Sequence, residues 1–156
     1  MTGGYDKRKE EPNMENLFTY GTLRPGCPNA DLLELGSASK PRYETATAQG
    51  LALYANYSGS FPYARPHPGR SIRGTLVTFT TEQWSKARPL LDALEGYDPQ
   101  RPGQGHYLRR LWLVSTDSER RTLAWIYLAG PRIALEPERL IRSGDWLERE
   151  PSPAHF

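Results

Sequence analysis

The stretch "FTYGTLRPG" at residues 18–26 decides how the rest of the chain is read. An apolar run breaks at Gly21, passes through the hydroxyl residue Thr22, and meets Arg24 and Pro25, so a strand ends here in a tight turn. A Gly-Thr-Leu turn leaving a strand presents successive backbone N–H groups to one concavity, which suits a carboxylate or a carbonyl oxygen. It does not fit a phosphate loop, because it lacks both the glycine spacing and the Lys-Ser/Thr pair that reaches phosphates and magnesium. Two readings stay open at this point: a plain strand end, or one half of a site for a small ligand.

Upstream, residues 1–15 are charged and almost free of apolar side chains, so they cannot offset their ordering entropy by burial and are expected to form a disordered tail. A single domain is expected over 16–150, with a short C-terminal tail at 151–156. Downstream, "PGCPNADLLELG" supplies a loop, Asn29 as a cap, and one or two helical turns ending at Gly36. The alternating "YETATAQGLALY" at 43–54 suits a half-buried strand with a bend or bulge at Gly50. "ANYSGSFPYARPHPGR" at 55–70 reads as a long, turn-rich loop, after which "SIRGTLVTFT" resumes the sheet with Ile72, Leu76 and Phe79 as apolar markers. Thr80 and Gln83 make a capping box for a helix, and Pro89 is expected to split that helix and begin a second piece, "PLLDALEGY". "HYLRRLWLVST" and "RRTLAWIYLAG" form a hairpin about the turn "DSE", and "LEPERLIRSGDW" is a helical turn and loop that packs Trp146 on the body. The sum is α+β: a mixed sheet curled around a small core, flanked by two helices.

Composition narrows the function. The chain has 156 residues, is 37% hydrophobic and carries a formal charge of only +2, so no strong field draws it to nucleic acid or an anionic membrane. The charge run at 7–9, "KRK", reads as a solvated tail. Cys27 is the one cysteine, which excludes an internal disulfide and a cysteine-based zinc site, and a reducing, cytoplasmic setting fits. No signal-peptide core and no membrane-length apolar run is present. His67, His106 and His155 lack metal-site spacing. Arg109-Arg110 and Arg120-Arg121 alternate across strand faces and read as solvated charges. Oligomeric state is not legible.

The candidate for chemistry is "LDALEGYD" at 91–98. Glu95 stands four residues after Leu91 on one helix face, and Gly96 ends the helix. A carboxylate held between apolar body and cleft loses solvation, which raises its pKa and makes it a usable proton shuttle. A solvated Glu before a helix-terminal glycine is the simpler alternative. Asp92, on another face, reads as a solvated or loop-capping carboxylate.

Taken in order, "FTYGTLRPG", Asn29, "SGSFPYARP" at 58–66, "IRGTLVTF" at 72–79, "LDALEGYD", "YLRRLWLV" at 107–114 and "AWIYL" at 124–128 resemble the gamma-glutamylcyclotransferase-like, or AIG2-like, family. That resemblance implies a small mixed β-barrel with flanking helices. It implies an enzyme that cleaves a gamma-glutamyl amide by attack of the substrate's own alpha-amine, giving 5-oxoproline and a free amine, with no metal and no cofactor. Glu95 would be the acid/base, and Tyr20, Gly21, Thr22 and Leu23 the substrate-binding loop. Tyr127 would either offer its hydroxyl to substrate or serve as a core tyrosine. Arg109 would give structural support near Glu95, and Arg24 and Pro25 would shape the entrance. The leaving amine could be that of an amino acid, the epsilon-amine of lysine, or an aminoglycoside precursor as in the butirosin-type member, with glutathione ranked lower, and the loop "ANYSGSFPYARPHPG" at 55–69 would shape the leaving-group side of the cleft. A non-catalytic small-metabolite-binding or protein-interaction member of the same fold is the alternative.

Overall fold

A computed structural model of the chain describes residues 14–34 and 39–149. Strand β1 (Met14–Thr19) is followed by a 3-10 turn (Ala30–Glu34), β2 (Arg42–Ala55), β3 (Pro62–Thr80), helix α1 (Thr81–Glu95), β4 (Tyr107–Thr116) and β5 (Arg121–Ala129). The strands close into a barrel in the order β1-β3-β2-β4-β5. Neighbours are antiparallel except at the closing seam, where β1 meets β5 in parallel at Leu17 and Trp125. The expected mixed barrel is therefore the architecture.

Period-two patterning builds the layers. Phe18, Ala46, Ala48, Ile72, Leu76, Val114, Ala124 and Ile126 come from all five strands and form one buried cluster, which is the barrel interior. Their immediate neighbours Leu17, Val77 and Phe79 point the other way, into a second cluster with Trp84, Ala87 and Leu91 of α1. The helix thus covers the outer face of β1 and β3. Trp146 joins the interior cluster, as the sequence predicts for the C-terminal segment, and that segment is laced to the barrel by Ile141 N–H to Leu53 O at 2.8 Å and Arg73 N–H to Gly144 O at 2.8 Å.

Four expectations are corrected. Residues 62–70, read as loop, are the first half of β3. Three prolines made them look irregular, yet β1 pairs only with positions 75–80 of β3, so the earlier stretch has β2 as its single strand neighbour. Proline is tolerated on such an edge, where its missing N–H breaks no second ladder. Pro89 does not split the helix, since α1 runs unbroken from Thr81 to Glu95. Pro89 and Ser85 are both exposed, so the carbonyl left without its donor can be solvated, while Trp84, Ala87 and Leu91 hold the opposite face on the barrel. The second flanking helix is a 3-10 turn, with Leu33 buried in the outer cluster, and its expected end at Gly36 lies outside the described residues. Finally β1 begins at Met14, inside the stretch expected to be tail, and Met14 pairs with Thr80. The remainder of that tail, and residues 151–156 with His155, lie outside the described residues.

The bulge at Gly50 is present as a register shift between Gln49 and Leu51. So is the capping box: Thr80 Oγ1 accepts from Gln83 N–H at 3.1 Å, and Gln83 Oε1 accepts from Thr80 N–H at 2.8 Å. Thr80→Ala is expected to lower stability by about 1 kcal/mol, a fall of roughly 2–4 °C in melting temperature for a domain of this size, measurable by thermal denaturation.

Candidate active site

The turn after β1 is built by its own backbone. Arg24 N–H returns to Gly21 O at 3.0 Å and Asn29 N–H to Thr22 O at 2.9 Å, while Asn29 Nδ2 donates to Thr22 Oγ1 at 2.9 Å. These backbone bonds use the amides of Arg24 and Asn29 and leave out those of Gly21, Thr22 and Leu23. Beside this turn lies a cavity of about 530 Å³, lined by Tyr20, Gly21, Thr22, Leu23, Glu95 and Tyr127. Every site residue expected from the sequence therefore lines this one cavity, although the turn after β1, α1 and β5 supply them from distant parts of the chain.

Glu95 occupies the last turn of α1, where Gly96 in the left-handed conformation, φ 66°, ends the helix. It is the one carboxylate among the described residues lining the cavity. No hydrogen bond or ion pair from the described residues reaches it, and burial pushes its pKa up to about 7. The surrounding phenols feel both burial and this carboxylate. Burial first, and the Glu95 charge next, hold the Tyr20 hydroxyl well above its ordinary value. Tyr107 is raised mainly by burial as well. These tyrosines are therefore neutral hydrogen-bond donors, and each already has an acceptor: Tyr20 donates to the Tyr127 carbonyl, and Tyr107 to Pro62 O at 2.7 Å.

Asp92 overturns its expected solvated role. It is only 5% exposed and takes Tyr127 O–H at 2.6 Å, Arg109 Nε at 3.0 Å and a longer contact from Arg88 at 3.6 Å. The Tyr127 hydroxyl is thus committed to Asp92, although the residue lines the cavity. Arg109 is not a solvated strand charge: it sits between the rings of Tyr97 and Trp125, at 5.2 and 4.9 Å, and its support for the Glu95 helix runs through Asp92. Arg24 does not shape an entrance either. It is buried and paired with Asp145 at 2.7 Å, which ties the turn after β1 to the C-terminal segment.

Phe61 and Pro62 line the cavity from the stretch expected to shape the cleft, whereas the sequence reading missed Tyr107 as a wall residue. Tyr107 carried a usable signal, since it shares a strand face with Arg109. Gly21 is where close approach matters most: a Cβ there would lie 2.8 Å from the Pro62 ring. Gly21→Ala is expected to displace the turn and lower kcat/KM by on the order of 10- to 100-fold, with a small change in melting temperature, read by steady-state kinetics beside thermal denaturation.

Among the described residues no helix is long and apolar enough to cross a membrane, and no group of three or more His, Cys, Asp or Glu is placed to hold a metal ion.

A closed five-stranded barrel with one covering helix and a single carboxylate among the described residues lining its cleft defines the structural class of this protein. Within that class the chain belongs to the "Gamma-glutamyl cyclotransferase, AIG2-like" family, whose model matches residues 17–148. It is 28% identical over 116 residues to the Drosophila melanogaster protein named "Putative gamma-glutamylcyclotransferase CG2811", covering 72% of this chain and 68% of that one. Its fold is similar to the mouse AIG2-like protein (TM-score 0.60, 21% identity, 88% of this chain and 85% of that chain) and to PH0828 of Pyrococcus horikoshii (TM-score 0.54, 22% identity, 86% and 91%).

Proposed function

We propose that this protein is a gamma-glutamyl cyclotransferase, releasing 5-oxoproline and a free amine from a gamma-glutamyl amide. The observation that carries the reading is the unpaired Glu95 carboxylate facing the same cavity as the Tyr20–Leu23 turn. The amides of Gly21, Thr22 and Leu23 bind the glutamyl group. Glu95 takes a proton from the substrate's alpha-ammonium, and the freed amine attacks the gamma-carbonyl to form the ring C–N bond. The amide C–N bond then breaks as Glu95 returns the proton to the departing nitrogen, and the second proton that the ring nitrogen sheds on becoming an amide passes to the released amine, which leaves as R–NH3+. No water is consumed. The nucleophile belongs to the substrate, so the protein's main task is to hold the glutamyl chain bent, where proximity supplies much of the acceleration. Family membership supports this class of activity.

The test is to incubate the protein with a panel of gamma-glutamyl amides and detect 5-oxoproline by mass spectrometry; formation from at least one is expected, and none from any would reject the reading.

Two pH effects follow from Glu95. The ionised form must accept the first proton, so kcat/KM is expected to rise with pH through a midpoint near about 7. Stability moves the other way. The folded pKa is raised from 4.5 to about 7, so the stability tied to the protonated carboxyl is fully present below the unfolded value and is lost as pH rises through the folded one. Glu95→Gln is therefore expected to be more stable than the parent above pH 7, by up to about 3 kcal/mol, with the gap closing toward pH 4 in denaturant titrations.

A further inference from the structure

β1 ends at Thr19, so the Gly21, Thr22 and Leu23 amides lie outside the strand ladder and their place is set by other contacts. Two side chains carry this turn to the body. Leu23 is buried in the outer cluster with Leu91, and Arg24 reaches the C-terminal segment, where its Nη1 donates to Asp145 Oδ1 at 2.7 Å. The backbone of Arg24 closes the turn in both directions: its N–H donates to Gly21 O at 3.0 Å, and its carbonyl accepts from Cys27 N–H at 2.9 Å. Any shift of Arg24 is therefore passed directly to Gly21.

Asp145 is a fixed anchor. The same Oδ1 accepts Leu147 N–H at 2.9 Å, and the carbonyl of Gly144 accepts Arg73 N–H from β3 at 2.8 Å. Gly144 lies so close to β3 that a Cβ there would overlap Ser71 O, and on the other side Trp146 is buried in the barrel interior. The pair itself is nearly dry, with side chains 9% and 13% exposed. Arg24 Nε is buried and meets no hydrogen-bond partner among the described residues. An ion pair that leaves a buried donor over is a poor source of stability, because desolvation offsets the attraction of the charges. What it does supply is a fixed distance between two elements.

We infer that Arg24 and Asp145 are positioning residues: their ion pair sets where the Gly21–Leu23 amides stand against Glu95, and so makes the C-terminal segment a working part of the site. This rests on the cyclotransferase reading of that site. Neither residue touches substrate; the effect runs through the turn, where a misplacement of about 1 Å can lower the rate by on the order of 100-fold.

The test measures kcat and KM for 5-oxoproline formation from the gamma-glutamyl amide of the panel that is turned over best, at a temperature where circular dichroism shows each variant folded. Arg24→Met is expected to raise KM by about 10-fold or more with kcat within about 3-fold of the parent, because the amides hold the glutamyl group alike in the ground and transition states. Asp145→Ser keeps a capping oxygen for Leu147 N–H but withdraws the carboxylate, and is expected to do the same. The double variant should lose no more than either single change, since all three break one contact. A merely structural pair would lower the melting temperature and the active fraction while KM stays at the parent value; that outcome, or additive losses in the double variant, would overturn the inference. If a single variant does not fold, the double variant, which strands no charge, carries the same test. If the parent turns over no amide of the panel, the cyclotransferase reading fails separately, and calorimetric titration with 5-oxoproline decides the positioning: binding weakened by about 10-fold or more in Arg24→Met supports it, and equal binding, or none to the parent, overturns it.

Discussion

Asp92→Ala is expected to destabilise the protein by about 3–5 kcal/mol, a fall in melting temperature of roughly 10 °C. The reason is the charge it leaves behind. Arg109 is held between Tyr97 and Trp125 with its guanidinium on Asp92, and its side chain is only 11% exposed. Removing the carboxylate strands that cation and also deprives the Tyr127 hydroxyl of its acceptor. Asp92→Asn keeps an acceptor for Tyr127 and should fall between the two. Combining Asp92→Ala with Arg109→Met should cost less than the sum of the single changes, because the stranded charge is then gone. Urea denaturation of the parent and the four variants measures this, and a loss under 1 kcal/mol for Asp92→Ala would show that the network carries little.

Glu95→Gln is expected to lower kcat by about 10²–10⁴-fold with a modest change in KM. Glutamine keeps the size of the side chain and its place beside Gly96, so substrate still meets the Gly21–Leu23 amides, but the alpha-ammonium has no base to take its proton. The loss should come without unfolding, since Glu95 has no ion pair or hydrogen bond with the described residues to break. Asp92 lies one turn earlier on α1, so the two carboxylates separate cleanly by experiment: one variant loses stability, the other keeps it and is idle. Retained turnover in Glu95→Gln would remove it from the mechanism.

That division of labour between the two acids was only half visible in the amino-acid pattern. The place of Glu95 was legible because Leu91 and Gly96 fix its face and the helix end, and the capping box at Thr80 and Gln83 fixes the other end of the same helix, whereas its acid/base role was implied by the family resemblance and not by that pattern. Asp92 was not, because its burial depends on Arg109 and Tyr127, which arrive from the far hairpin, and no local spacing records that meeting. Strand alternation revealed β2, β4 and β5, but the edge of β3 was hidden by Pro62, Pro66 and Pro68, residues that local propensity assigns to loops and that only tertiary context places beside β2. The turn at Gly21 showed the same limit. Its backbone donors were legible; the pairing of Arg24 with Asp145 was a contact across 121 positions and was not.

The central claim is that the substrate's own amine, and not water, opens the gamma-glutamyl amide. Turnover in H2¹⁸O with analysis of the acyl product tests it most directly. The account predicts 5-oxoproline free of solvent oxygen, in one-to-one amount with the released amine. Glutamate carrying ¹⁸O as the initial product would contradict it, because it would mean that a water molecule attacks the carbonyl beside Glu95.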